Sequence, residues 1–217
     1  MRNPIKPICF IYAVIIVVLT GCFYTHATKN ELPYYTSSDF TPHWLSKKEA
    51  DTIHCIPDFS FLNQQGKTIT QKTFDNKITV VDFFFTSCPG ICKKLTKNLS
   101  TVQTAFKDDN NVLLLSHSVT PEHDSVPVLN KYAAANHIIA GKWHLVTGDK
   151  AAIYTIARNA YFADEDLGTQ QDSTTFLHTE NVLLIDKQHH IRGVYKGTLP
   201  SEIDNLVADI KKLEKEE

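Results

Sequence analysis

The sequence predicts an α/β domain with a mixed central sheet, flanked by helices and opened by an N-terminal β-hairpin. Three observations predict it. Short apolar, β-prone runs recur at 78–85, 112–119 and 143–146, each too short for a helix. Segments with apolar residues at helical spacing stand after them, at 89–107, 126–138 and 150–159. Hairpin patterns, at 59–70 and 181–196, flank this alternating stretch on both sides. Strands alternating with helices call for parallel neighbours, and hairpins add antiparallel ones, so the sheet is mixed.

The N-terminus stands apart from that domain. Arg2 and Lys6 precede an apolar run from Ile8 to Leu19, followed by Thr20-Gly21-Cys22. This is the basic and apolar sequence of a secretory signal, and the run falls short of the roughly 20 residues of a membrane span. Leu19-Thr20-Gly21-Cys22 resembles a bacterial lipobox, which implies Cys22 as the lipidated first residue of the mature chain. An uncleaved anchor is the competing reading. In both, the bulk of the chain is tethered to a membrane on its periplasmic or extracytoplasmic side. The expected division is 1–21 signal peptide, 22–50 linker and 51–217 domain. Residues 23–45 are rich in Thr, Ser, Tyr and Pro without a period, with Phe40 and Trp44 available to pack on the domain.

The elements follow in order. Phe59 to Leu62 and Thr68 to Thr70 pair around a turn containing Gly66. Ile78 to Phe85 is a buried strand. Ile91, Leu95, Leu99, Val102 and Phe106 share one helical face. Val112–Val119 is a second buried strand, Val126–Ile138 a helix, Trp143–Val146 a strand and Lys150–Asn159 a helix. Asn181–Asp186 and Ile191–Lys196 form a hairpin around Lys187-Gln188-His189-His190. A helix over Ser201–Leu213 closes the chain, and the charged residues after Lys211 are expected to fray into solvent.

Composition narrows the function. A length of 217 residues fits one domain with a flanking segment, and 42% hydrophobic residues suffice for a core. The formal charge of −2 supplies no basic footprint for nucleic acid. No Gly-rich phosphate loop is present. Of five cysteines, Cys9 leaves with the signal and Cys22 carries lipid, so Cys55, Cys88 and Cys92 remain.

The informative stretch is Phe83-Phe84-Phe85-Thr86-Ser87-Cys88-Pro89-Gly90-Ile91-Cys92. A buried strand ends in two cysteines four residues apart, where a helix begins. Cys88 is expected as the helix N-cap and Pro89 at the first helical position. Cys92 then lies one turn on, on the same side. The unpaired N–H groups and positive end of a helix favour thiolate over thiol. Such a pair is a redox dithiol or two soft metal ligands. Pairing Cys88 with Cys92 in a disulfide leaves Cys55 over, and an oxidising compartment permits that bond. With a hairpin followed by alternating strands and helices, a closing hairpin and a last helix, a Cys pair at this junction is a thioredoxin-like arrangement.

The chain resembles the Sco (SCO1/SenC-type) copper chaperones of cytochrome c oxidase assembly. The likeness spans about residues 54–213. It rests on Ile56-Pro57-Asp58-Phe59, on the stretch from Phe84 to Cys92, on Ser118-Val119-Thr120-Pro121-Glu122-His123-Asp124-Ser125, on Tyr132-Ala133, and on His178 shortly before Asn181-Val182-Leu183-Leu184-Ile185-Asp186. The resemblance implies one copper ion, Cu(I) or Cu(II), held by Cys88, Cys92 and His178. It also implies a partner, the copper A domain of a subunit II-like oxidase chain. Lys93 stands where the family often has Pro, and Thr120 where it commonly has Asp.

Two thiolates and an imidazole suit a soft ion, and three ligands leave it open for hand-over; a structural zinc site takes four. Metal loading and oxidation compete for the same sulfurs. Among the other histidines, His189 and His190 are expected in a solvated turn, His26 and His43 in the linker, and His137 and His144 as structural or exposed. His117 and His123 are candidates to orient the ligands. Cys55, beside His54, reads as an extra thiol. The rival function is a thiol–disulfide reductase that keeps the oxidase's copper cysteines reduced. Against it stand the CxxxC spacing and a Pro-free stretch, Leu177 to Asn181, opposite the site. A peroxiredoxin would need Thr three residues before its Cys, whereas Thr86 is two before Cys88. A copper or redox sensor is a further alternative.

Overall fold

The computed structural model describes residues 31–163 and 179–216. The signal segment, Cys22 and His178 lie outside the described residues. Leu32–Glu217 forms one compact unit, and among the described residues no helix is long and apolar enough to cross a membrane.

The strands are β1 (Tyr34–Tyr35), β2 (Pro42–His43), β3 (Ser60–Asn63), β4 (Thr68–Thr70), β5 (Ile78–Phe84), β6 (Val112–Ser118), β7 (Trp143–Thr147), β8 (Asn181–Ile185) and β9 (Ile191–Lys196). The helices are α1 (Lys47–Ala50), α2 (Ile91–Ala105), α3 (Val126–Ala135), α4 (Lys150–Asn159) and α5 (Pro200–Glu216), and Gln71–Phe74 forms a 3-10 turn. One sheet runs in the order β2-β1-β9-β8-β5-β6-β7-β3-β4. Strands β5, β6 and β7 are parallel and the other pairings antiparallel. The mixed, helix-flanked, thioredoxin-like sheet is therefore the observed fold.

Strands β5 and β6 are buried along their whole length, which is why they read as continuous apolar runs rather than alternating ones. Alternation persists in what each side chain meets. Ile78, Val80, Phe84 and Leu114 enter one core with Cys88, Cys92, Leu95, Tyr195 and the apolar stripe of α5. Val81, Phe83, Leu113 and Leu115 enter the other, with Phe61, Ile153 and Tyr161. In the β3–β4 hairpin, Gly66 takes φ +72, and its N–H donates to the Asn63 carbonyl at 2.8 Å. Glycine accepts that left-handed turn at little cost.

Part of the expected linker belongs to the sheet. Tyr35 pairs with Ile191, and Phe40 packs on the aromatic core, but Trp44 stays exposed. The C-terminus is tied down rather than frayed. The Glu216 carboxylate accepts from the Leu32 N–H at 2.7 Å and pairs with Arg192 at 2.8 Å. Arg192 also donates to the Leu32 and Pro33 carbonyls and meets Asp186 at 3.3 Å. His190 is buried against the same Asp186, and His189 reaches Asp75 at 3.1 Å. The expectation of a solvated His189–His190 turn is thus corrected: His190 is held by Asp186, four residues before it, and His189 by Asp75, far away in sequence.

Candidate functional site

Strand β5 delivers the chain to Cys88, and α2 begins directly after it. The helix starts at Ile91 with Gly90 as its cap, two residues later than expected, so Cys88 and Pro89 lie in the preceding turn. The Cys88 sulfur still caps the helix. It accepts the Cys92 N–H at 3.4 Å, and the N–H groups of Gly90 and Ile91 also reach it. Both cysteines are free thiols, about 5% exposed.

The two thiols differ in acidity. Burial pushes the Cys88 thiol up, but the Cys92 thiol and the N–H groups of Cys92, Gly90 and Ile91 outweigh it, and Cys88 ends below the ordinary range. Burial, the hydrogen bond to Cys88, and the charges of Cys88 and Asp82 push Cys92 up to about 12, against an opposing bond from Phe85. Cys88 is thus the ready thiolate and Cys92 the reluctant one.

Two carboxylates hold the surroundings, and sequence reasoning assigned a role to neither. Asp124 is fully buried. It accepts from the Thr86 N–H at 3.2 Å, the Ser118 hydroxyl at 2.6 Å and the Thr120 hydroxyl at 3.1 Å, as well as from the Thr86 hydroxyl. The turn between β5 and Cys88 is thereby pinned to the end of β6 by one side chain. Asp82 lies under the cysteines, on the same face of β5 as Phe84. The Trp143 indole N–H donates to the Ser116 oxygen at 2.7 Å, and the Ser116 hydroxyl donates to Asp82. Burial, eased by that one bond, raises Asp82 to about 7. Tyr132 packs against the same core, its hydroxyl paired with Thr96 at 2.8 Å and its ring 5.4 Å from Phe84. Burial and the charges of Asp82 and both cysteines raise it to about 12.

The other sequence candidates fall elsewhere. His117, expected to orient the ligands, faces the opposite side of the sheet. It stacks on Phe83 at 5.2 Å and meets Phe59, Phe61 and Tyr161 edge-on or tilted. Its parity on β6 is that of Leu115, not of Ser116, which forbids contact with the cysteines. His144 is buried on Asn63 at 3.3 Å. His54 bonds the Ala160 carbonyl at 2.8 Å, and Cys55 is an exposed thiol on the wall of a cleft of about 540 Å³ between the 54–61 segment and α4. Among the described residues no cluster of three His, Cys, Asp or Glu side chains suits a metal; His178 is outside them.

The geometry agrees with comparison to known proteins. The family profile described as SCO1/SenC matches residues 47–215. The SCO1 protein homolog of Bacillus subtilis (strain 168) is 27% identical over 158 residues, covering 72% of this chain and 81% of that protein. The crystal structure of a SCO1/SenC family lipoprotein from Bacillus anthracis str. Ames has a TM-score of 0.64 at 25% identity, covering 74% of this chain and 95% of that one. The copper-bound ScoI of Bradyrhizobium japonicum has a TM-score of 0.58 at 23% identity, covering 73% and 99%, a likeness of fold.

Proposed function

This chain belongs to the SCO1/SenC family, and from that premise we propose that it is a membrane-anchored copper chaperone. It takes one copper ion as cargo on Cys88, Cys92 and His178, and passes it to the copper A centre of a cytochrome c oxidase. The family is linked to cytochrome c oxidase assembly. The observation that carries the reading is the thiol pair itself. Two free sulfurs sit at the start of α2, one already favoured as thiolate. Thiolates of this kind select a soft ion such as Cu(I). Chain connectivity allows the third ligand. Strand β8 runs antiparallel to β5, so its first residue, Asn181, lies toward the end of β5 that leads to Cys88. His178 precedes that residue by three. The lipid tether at Cys22, the cleaved signal 1–21 and the extracytoplasmic location belong to the same reading. A named lipoprotein among the family's solved structures supports it.

A second reading, a thiol–disulfide reductase acting on the oxidase's copper cysteines, is favoured by one specific observation. A low thiol, Cys88, beside a high one, Cys92, is the arrangement of an attacking and a resolving cysteine.

The test is anaerobic copper titration of the reduced full chain in non-ionic detergent, beside His178→Ala. The expected result is one copper per chain, with binding weakened about 10-fold or more in the variant, about 1.4 kcal/mol. A parent that keeps no copper but readily cycles a Cys88–Cys92 disulfide would sink the chaperone in favour of the reductase.

A further inference from the structure

Helix α2 breaks a local rule at its first turns. Its N-terminal end carries the positive pole of the helix, where carboxylates stabilise and cations do not. The first turn of α2 contains no acidic residue, yet Lys93, Lys94 and Lys97 all fall within its first two turns. Lys93 and Lys97 are four apart and Lys94 and Lys97 three apart, so like charges also face each other along the helix. All three are exposed. None makes an ion pair among the described residues. The chain as a whole is slightly acidic, so this cluster runs against its balance.

The lysines do not act inward. Backbone N–H groups and the Cys92 thiol, not the lysines, bring Cys88 down. What remains is an outward role, and the surroundings shape it. The Asn98 amide donates to the Gly197 carbonyl at 2.9 Å, and a Cβ on Gly197 would run into Leu95 and Val182. The 197–199 loop is therefore pressed against the first turns of α2. Two residues on, Leu199 is 49% exposed. Glu180, behind that loop, is engaged by Lys196 at 3.6 Å and by Thr198, so it leaves the three lysines unneutralised. An exposed apolar residue with a polar rim suits a docking surface, and the lysines follow Cys92 in the same helix.

We propose that Lys93, Lys94, Lys97 and Leu199 form the surface on which an acidic face of the acceptor protein docks, bringing its copper or thiol ligands to Cys88 and Cys92. The identity of the acceptor rests on the function proposed above. An anionic membrane is the lesser fit, since lipid-binding segments gather four to eight basic residues. A local cost in helix stability is retained because it speeds and orients encounter with one partner.

The test uses the full chain in non-ionic detergent and, as probe, the purified outward-facing copper A domain of the oxidase from the same organism. Association is followed at about 20 and 200 mM salt, the range over which exposed charges become screened. A Lys93→Glu/Lys94→Glu/Lys97→Glu variant is compared with Lys47→Glu/Lys48→Glu/Lys72→Glu, which changes net charge equally at a distance. The expected result is association slowed roughly 10-fold or more by the α2 variant, loss of its salt dependence, and near-parental behaviour of the distant variant. Lys→Arg at the three positions should restore the rate. Equal effects from both triple variants, no effect from either, or no salt-sensitive binding by the parent would each overturn the proposal. So would lysine-dependent binding to phosphatidylglycerol vesicles without binding to the domain. Copper retention is read separately. Lysine-dependent docking by a chain that holds no copper keeps this inference and sinks the chaperone, and copper transfer that ignores the lysines does the reverse.

Discussion

The strand pair β5–β6 buries one titratable group on each face of the sheet, one residue apart in register, and treats them oppositely. On the cysteine face, Asp82 of β5 is paired to Ser116 of β6, and Ser116 is held in turn by Trp143. On the aromatic face, His117 of β6 lies among Phe59, Phe61, Phe83 and Tyr161, and neither ring nitrogen has a partner among the described residues. Burial raises Asp82 to about 7 and lowers His117 to about 3. Both shifts keep a buried group neutral. The difference lies in what surrounds them. Asp82 is electrically coupled to Cys92 and Tyr132, so its proton bears on the thiols. His117 is coupled to nothing that reacts. A fully buried polar side chain is therefore a sign of function here only when it joins a network that reaches the site.

The expected effect on copper affinity would break the comparison if it failed. Cys88→Ala should lower copper affinity by roughly 100-fold or more, about 2.8 kcal/mol, whereas His117→Phe should leave it within about a factor of three. Competition against a Cu(I) chelator measures both. Equal losses would mean that the two faces are not separate in function.

Asp82→Asn comes next, and its sign follows from linkage. In the folded chain Asp82 holds its proton up to about pH 7, against 3.8 for an ordinary aspartate. The native state thus binds more protons than the unfolded state between those values, and stability falls as pH rises through them. Removing the carboxyl removes that fall. Near pH 4 the variant and parent should be equally stable. Above pH 7 the variant should gain as much as about 4 kcal/mol, three units at 1.36 each. Urea unfolding from pH 4 to 8.5 reads the difference, and a gap that does not change with pH would contradict it. The same variant should raise the reactivity of Cys92 toward iodoacetamide at pH 8, because a negative charge that opposes its thiolate is gone.

Much of the fold was legible because its signals are local. Continuous apolar runs marked β5 and β6, and helical spacing marked α2 and α5. Lys150–Asn159 was placed to the residue. The candidate site was marked by Cys88 and Cys92 for the same reason, since both belong to one short strand-to-helix segment. What was hidden depends on pairings between distant residues. Asp82 sits in a run that reads as purely apolar, and its partner Ser116 is 34 positions on. The reach of Asp124 to Thr86 spans 38. Whether His117 faces the cysteines depends on the pairing Phe83 with His117, and a shift of one residue would reverse it. Asp186 stands only four residues before His190, but the contact of His190 with the Tyr34 ring, 5.5 Å away, needs β1 to pair with β9. No window of the sequence contains that information.

The smallest effect sharpens the aromatic side of the comparison. An imidazole with two unpartnered nitrogens in a dry core costs about 1–3 kcal/mol of desolvation. His117→Phe should recover part of this near pH 7.5, because a phenyl ring can keep the stack on Phe83 and needs no partner. The slightly larger ring will take some of the gain back as strain. Lower pH should widen the gap. The folded pKa of His117, about 3, lies below the usual 6.5. Stability of the parent is therefore present above 6.5 and lost as pH falls, since the unfolded chain takes up a proton that the folded one refuses. By pH 5 the variant's advantage should have grown by about 2 kcal/mol, one and a half units at 1.36 each. The Asp82→Asn gap moves the opposite way, opening as pH rises. Two buried groups on two faces of one strand pair would then be told apart by the sign of their pH dependence alone. An advantage of His117→Phe that stayed flat between pH 7.5 and 5 would mean that the imidazole is protonated in place, and that a partner reaches it in solution.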